Sequence, residues 1–341
     1  GIEPKSGEKV GEIRLRRALV ALALVVAASA CSEGGAKDTT ASTTTTEARG
    51  PSGEFSVLTY NVAGLPQEVS QENPKDHIPL ISPLLESFDV VMTQEDFDWW
   101  QPTLDGLDFV HYHERLRAAV THEYRSAKHP GPEAAGLDPS TRPQLSVGDG
   151  LGFLSRFPLE NEERIAWRGC FGTLDTSDRG AADCPAMKGF AVVTLALGPG
   201  VEVDVYTLHG EAGATEEDQR LQGEDFEQLA AFIATRSSDR AIILGGDTNL
   251  HTNSDHPDAS NGADTRVWED FLHRTGLEDS CTVLECDEID SIDKIAFRGS
   301  AAVTLVPVSH DFPSVEFKDD VGEPLSDHEP LAVKFRWSAP H

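Results

Sequence analysis

The stretch Ala241-Ile-Ile-Leu-Gly-Gly-Asp-Thr-Asn249 constrains this chain more than any other. An apolar tetrad reads as a buried strand, two glycines interrupt it, and an acid and an amide follow two residues apart. Side chains two apart on an extended chain share a face, so Asp247 and Asn249 are expected to point at one reacting atom. Other strand ends along the chain carry further carboxylates, an amide and two histidines. Oxygen and imidazole groups gathered in this way suit chemistry between a water molecule and a divalent cation.

The N-terminus reads as a targeting segment. Arg14, Arg16 and Arg17 precede the apolar run from Ala18 to Ala27, and Ala28-Ser29-Ala30-Cys31 follows. Basic, apolar and small-residue zones in that order describe a secretory leader. A cysteine directly after the small residues resembles a bacterial lipobox, so residues 1–30 are expected to be removed and Cys31 lipidated. Ala28 stands where a lipobox usually has leucine, and ordinary leader cleavage is the alternative. The apolar run is short for a permanent membrane span. Residues 31–53, with Thr43-Thr44-Thr45-Thr46, lack apolar periodicity and read as a disordered tether. Residues 54–337 are long enough for one large domain.

Cysteine usage agrees with export. The four beyond Cys31 are expected to pair by proximity, Cys170 with Cys184 and Cys281 with Cys286. A four-thiolate zinc site is the alternative, disfavoured because neither pair has Cys-x-x-Cys spacing. Removing residues 1–30 takes away five basic and three acidic side chains. That leaves 23 basic against 55 acidic residues, a net charge of −32. Such a surface repels a polyphosphate backbone unless a basic patch or bound cation compensates, which weighs against nucleic acid as a partner.

Strands are expected at Phe55–Asn61, Asp89–Glu95, Leu151–Ser155, Gly189–Leu197, Val201–Leu208, Ala241–Leu244, Ile295–Arg298, Val303–Val308 and Leu331–Trp337. Phe55, Val57, Thr59 and Asn61 fall on one face, and continuing the alternation Val201, Val203, Val205 places His209 on the valine face. Gly198-Pro199-Gly200 reads as a hairpin turn. Helices are expected at Glu216–Arg236, capped by Thr215, at Asp264–Thr275, and at His77–Ser87 despite Pro79 and Pro83. Strands and helices without strict alternation imply an α/β sandwich of mixed sheets. Glu114–Gly148, rich in proline and without periodicity, reads as a substrate-facing insertion, with a merely decorative excursion as the alternative.

Taken in order, the informative words are Leu58-Thr-Tyr-Asn-Val62, Gln94-Glu95, Gly150-Leu-Gly-Phe-Leu-Ser-Arg156, Lys188-Gly189, Leu208-His209, Gly246-Asp-Thr-Asn249, Ile292-Asp-Lys-Ile295 and Ser326-Asp-His328. This series resembles the endonuclease/exonuclease/phosphatase superfamily, the DNase I-like fold, over nearly all of residues 54–337. The resemblance implies a four-layer α/β/β/α sandwich, two mixed β-sheets with helices outside. It implies Glu95 as the main ligand of Mg2+ (or Mn2+), with Asn61 beside it and Asp327 close by. It makes Asp247 and Asn249 the groups that orient water and a phosphate oxygen, and His328 the general base, held in tautomer by Asp293. His209 would donate to the phosphoryl group, and Lys188 would meet the substrate. The family commonly has Thr before the histidine at 209. Here Leu208 stands there, and Glu211 is the carboxylate offered as that histidine's partner. The remaining histidines, His113 and His310 among them, have no assigned counterpart.

Within the superfamily, Gly150–Arg156, Lys188-Gly189, Arg220-x-Gln222 and Leu325-Ser-Asp-His-Glu329 look most like secreted sphingomyelinases and related phospholipases C. The resemblance implies a phosphoric diester hydrolase acting on a phospholipid or other small phosphodiester. The expected location is the outer face of a bacterial membrane, reached through the lipid anchor, or the medium, and a monomer is expected. Trp99, Trp100 and Trp167 read as core or rim aromatics, with an aromatic cage or membrane edge as the alternative. Two rival functions are an extracellular DNase I-like endonuclease, whose basic cluster would be Arg115, Arg117, Arg125 and Lys128, and a non-catalytic surface-binding module.

Overall fold

Alternation within the strands builds the layers. The structure is a computed structural model that describes residues 50–101, 107, 111–129, 131–175, 177, 179–252, 256, 261–287 and 291–340. The expected leader, Cys31 and nearly all of the tether lie outside these residues. The elements in chain order are β1 (Ser52–Asn61), α1 (Pro74–Leu84), β2 (Val90–Gln94), α2 (Tyr112–Leu116), β3 (Tyr124–Arg125), β4 (Gly152–Ser155), β5 (Leu159–Ala166), β6 (Gly189–Gly198) and β7 (Val201–His209). Then follow α3 (Glu216–Arg236), β8 (Ala241–Asp247), α4 (Ala263–Thr275), β9 (Glu278–Asp279), α5 (Ser280–Leu284), β10 (Asp293–Arg298), β11 (Thr304–Asp311) and β12 (Leu331–Ser338).

One six-stranded sheet runs β11-β12-β1-β2-β4-β3 and the other β5-β6-β7-β8-β10-β9. Each mixes parallel and antiparallel pairs: β1 is parallel to β2, and β7 to β8. Phe55, Val57, Val90, Met92, Val203, Val205, Ile243 and Ile295 face one another in a core between the sheets. The opposite faces turn outward. Leu58, Tyr60 and Val91 pack with Ile78, Ile81 and Leu85 beneath α1. Tyr206, Leu208, Ile242 and Leu244 pack with Phe226, Leu229, Ile233 and Phe271 beneath α3 and α4. The result is the four-layer sandwich expected for the DNase I-like fold, with strands buried on both faces.

Several boundaries differ from expectation for physical reasons. Ser52 and Gly53 already pair with Ser338 and Trp337, so β1 starts inside the segment read as tether. Helix α1 begins earlier, at Pro74, because proline suits a first turn whose N–H would be unbonded. It gives way at Leu85 to a single 3-10 turn. The sequence reading missed β5: Glu160, Glu162 and Glu163 hide the pattern of an edge strand paired only with β6. Helix α3 matches, and Thr215 and Asp218 form a reciprocal capping box at its start. Trp167 is core, 1% exposed, and Trp99 and Trp100 are half-buried. Among the described residues no helix is long and apolar enough to cross a membrane.

Two glycines let the site-bearing strands approach. A Cβ on Gly245 would meet the Met92 methyl across the core at 2.5 Å. Gly246 has φ +152° and lies against the backbone of Leu208, its partner in β7. Gly246→Ala should therefore cost about 1–3 kcal/mol. A urea midpoint equal to that of the wild type would show that the strands have room to spare.

Candidate active site

Where the apolar alternation of the inner faces ends, polar residues continue it. Thr59 in β1, Gln94 in β2 and Thr207 in β7 form the first polar layer, with Gln94 Nε2 donating to Thr59 Oγ1 at 3.0 Å and to Thr207 Oγ1 at 2.8 Å. One step further lie Asn61, His209, Asp247 and Asp293. In sheet register His209 sits opposite Asp247, and Asp247 opposite Asp293. Three adjacent strand ends thus deliver three side chains side by side, facing Asn61 on the other sheet.

Glu95 reaches the same place by a different route. It follows Gln94, so strict pleating would send it to the outer face. Its φ of +53° breaks the pleat and brings the carboxylate inward. Asn61 Nδ2 donates to Glu95 Oε1 at 3.1 Å and to Asp247 Oδ2 at 3.0 Å, while Asn61 Oδ1 accepts from Ala63 N. The amide thus turns its nitrogen toward the carboxylates. His328, on the loop before β12, completes the group. Its Nδ1 lies 2.7 Å from Asp293 Oδ2, and its Nε2 3.6 Å from Asp247 Oδ2. Asp327 beside it is exposed.

Asn249 departs from the shared face predicted by simple alternation. β8 ends at Asp247, and Asn249 has φ +51°. Its backbone N–H donates to Asp247 Oδ1 and its side chain donates to Gly210 O at 3.2 Å. Lys188 is 8% exposed, paired with Asp183, and also donates to Gly210 O. Glu211 is not the partner of His209: it accepts from Phe171 N, and His209 Nδ1 is buried without a partner. His209 Nε2 instead faces Asp247 Oδ2 at 3.3 Å. Arg117, read as part of a basic cluster, is buried against Asp96. Asp96, Arg117 and Asp183 went unnoticed as buried charges, because each sits in a loop or at a helix end where no periodic pattern marks burial.

The electrostatics divide the two histidines. Burial, reinforced by Lys188, holds His209 well below the usual imidazole range, so it is neutral. Burial also opposes a charge on His328, but Asp293 and Asp247 outweigh it and raise its pKa well above the usual value. Burial raises Glu95 against the Asn61 hydrogen bond and Lys188. Asp247, Asp293 and His328 offer ligand atoms within 4.8 Å of one another, and Asp293 Oδ1 is buried without a partner. The Glu95 carboxylate, whose charge burial opposes and which shares the Asn61 amide with Asp247, fits a hard divalent cation bound through oxygen. A groove of about 580 Å³ opens at His328 and Asp327, flanked by Glu72, His77, Phe317 and Asp319.

Both expected disulfides are present, Cys170–Cys184 and Cys281–Cys286, with Cα separations of 5.2 and 5.0 Å. The first closes the loop that carries Asp183 and Phe171 against Glu211.

Residues 58–328 match the sequence profile of the endonuclease/exonuclease/phosphatase family. Curated sphingomyelinases of Mycobacterium bovis and Mycobacterium tuberculosis are 30% identical over 298 residues, covering 84% of this chain and 54% of theirs. The chain thus spans about half the length of those relatives. Among solved structures, beta toxin from Staphylococcus aureus aligns with TM-score 0.55 and 15% identity, over 82% of this chain and 99% of its own. A mutant of that toxin was solved with bound magnesium ions. Sphingomyelinase C from Streptomyces griseocarneus aligns with TM-score 0.54 and 20% identity, over 83% of this chain and 99% of its own. At such identities the structures speak for the fold.

Glu211 supplies a test of the buried charge network. Burial and the nearby Asp183 raise its pKa to about 8. A carboxyl raised on folding stabilises fully below its unfolded value of about 4.3, and that contribution is lost as pH rises through the folded value. Glu211→Gln should flatten the fall in urea midpoint between pH 5 and pH 8.5. An unchanged slope would place the titrating group elsewhere.

Proposed function

The chain belongs to the endonuclease/exonuclease/phosphatase family, and from that premise we propose that it is a metal-dependent phosphodiesterase of the sphingomyelinase and phospholipase C kind. The observation that carries this reading is the register of His209, Asp247 and Asp293 across three strands, with His328 between the two acids and Glu95 opposite. Homology to sphingomyelinases supports a lipid-type diester as substrate.

Glu95 would hold Mg2+ or Mn2+, with Asn61 and Asp327 beside it. The bound cation supplies charge stabilisation at a phosphoryl oxygen. The chain's own residues do the rest. Asp293 accepts the Nδ1 proton of His328 and so presents Nε2 to the attacking water, whose proton it removes once the ring is neutral. Asp247 lies within reach of that same nitrogen and orients the water. His209, neutral and buried, donates through Nε2 toward the phosphoryl oxygens as charge builds there. Asn249 closes the rim beside Asp247, and Lys188, fixed by Asp183, lends positive potential from beneath.

The groove beside His328 favours a small or cationic headgroup. Glu72, Asp319, Glu323, Asp327 and Glu329 line it against a single lysine, Lys318. With 58 acidic and 28 basic residues in the chain, the net negative charge disfavours a polyanionic backbone. Export and lipidation of Cys31 would hold the enzyme beside its lipid substrate, raising its effective concentration there.

Two measurements test the proposal. His328→Ala and Glu95→Ala should each lower hydrolysis of a chromogenic phosphodiester by roughly 100-fold or more while the fold persists. Near-normal turnover by either folded variant with Mg2+ present rejects the assignment. Wild-type protein should release phosphocholine from sphingomyelin vesicles and leave plasmid DNA intact. Nicking without phosphocholine release would make it a nuclease instead.

A further inference from the structure

Glu95 stands in a backbone conformation that a residue with a Cβ avoids, costing about 1–3 kcal/mol. Such a residue persists only where its surroundings fix it. The next residue, Asp96, is 5% exposed and its side chain is gripped on two sides. Arg117 Nη1 donates to Asp96 Oδ2 at 2.5 Å, and His113 Nδ1 lies 3.1 Å from the same oxygen. Arg117 is itself 9% exposed and ties back to His113 O. The backbone is held too: Asp96 N donates to Gly150 O, and Gly148 N to Asp98 O. Lys128 pairs with Asp98 at 2.6 Å and with Glu114 at 3.0 Å. A Cβ on Gly150 would strike the Phe97 ring at 2.7 Å and lie 3.1 Å from Glu95 Cα. Apart from the Arg117–His113 and Lys128–Glu114 contacts, which brace the segment itself, these ties run from the four residues after Gln94 to the segment 113–150.

We propose that the Asp96–Arg117–His113 cluster is a clamp that holds Glu95 in its inward, left-handed conformation and thereby sets the affinity of the site for its divalent cation. The long segment between α2 and β4 then serves as a buttress for the ligand strand, which alters the expectation that it faces substrate. Asp96, Arg117 and His113 are positioning residues: they act on the cation only through Glu95. Outer-shell partners that orient a metal ligand typically tune affinity by about ten- to a hundredfold. The inference rests on the reading of Glu95 as the metal ligand.

Neutralising one partner alone would bury an unpaired charge and endanger folding. The test therefore uses the double variant Asp96→Asn/Arg117→Gln, with His113→Ala as the milder companion that leaves the ion pair intact. Mn2+ binding is measured by calorimetry, and the thermal midpoint is taken in EDTA. The double variant should bind Mn2+ about tenfold more weakly. His113→Ala should shift in the same direction by less, with its midpoint in EDTA near wild type, and high Mn2+ should restore its kcat. Wild-type Mn2+ affinity in a folded double variant overturns the clamp. If that variant does not fold, unchanged affinity in His113→Ala overturns it. Glu95→Gln separates the two ideas. If it binds Mn2+ as the wild type does, the ligand assignment falls and the clamp falls with it. If it loses binding while the clamp variants keep theirs, only the clamp falls.

Discussion

One side-chain amide joins the two halves of this molecule at the place where its chemistry is gathered. Asn61 ends a strand of one sheet, and its Nδ2 touches the carboxylates of Glu95 at 3.1 Å and Asp247 at 3.0 Å. The same nitrogen lies 3.3 Å from His328 Nε2. Two anionic groups brought this close repel, and a buried amide donor between them relieves part of that repulsion. Glycines at 245 and 246 bring the second sheet near enough for the bridge to form.

The architecture explains why the site is where it is. Apolar alternation glues the sheets along most of their length, and the same inner faces turn polar only at one edge. Parallel pairing of β1 with β2, and of β7 with β8, brings carboxyl ends of four strands to that edge. Such ends are where sheets leave room for ligands, since the chain must turn away there. Left-handed residues mark three of these exits: Ala63, Glu95 and Asn249. Three of the eight non-glycine residues with positive φ among the described residues thus border the candidate site, where strained backbone can serve geometry.

Much of this was legible in the chain. The valine alternation of β7 puts His209 on the inner face, while β8 runs past the expected end at Leu244, through both glycines, to Asp247. The sandwich followed from ordered words and strand patterns, and the cysteine pairs from proximity. What escaped has physical causes. Alternation puts Asn249 on the face of Asp247, but the pleat stops at Asp247, and left-handed turns leave no periodic trace. Strand β5 was hidden because an edge strand solvates its charges. The Asp96–Arg117 pair was invisible because a buried ion pair looks, in one dimension, like two surface residues twenty-one apart.

Convergence of strand ends on a single hard cation is the claim on which the rest depends. Anomalous diffraction from crystals soaked in Mn2+ addresses it directly. The account predicts one strong peak at coordinating distance from the Glu95 carboxylate, on the side facing Asp247 and His328. The absence of any peak near Glu95 at saturating Mn2+ would contradict it.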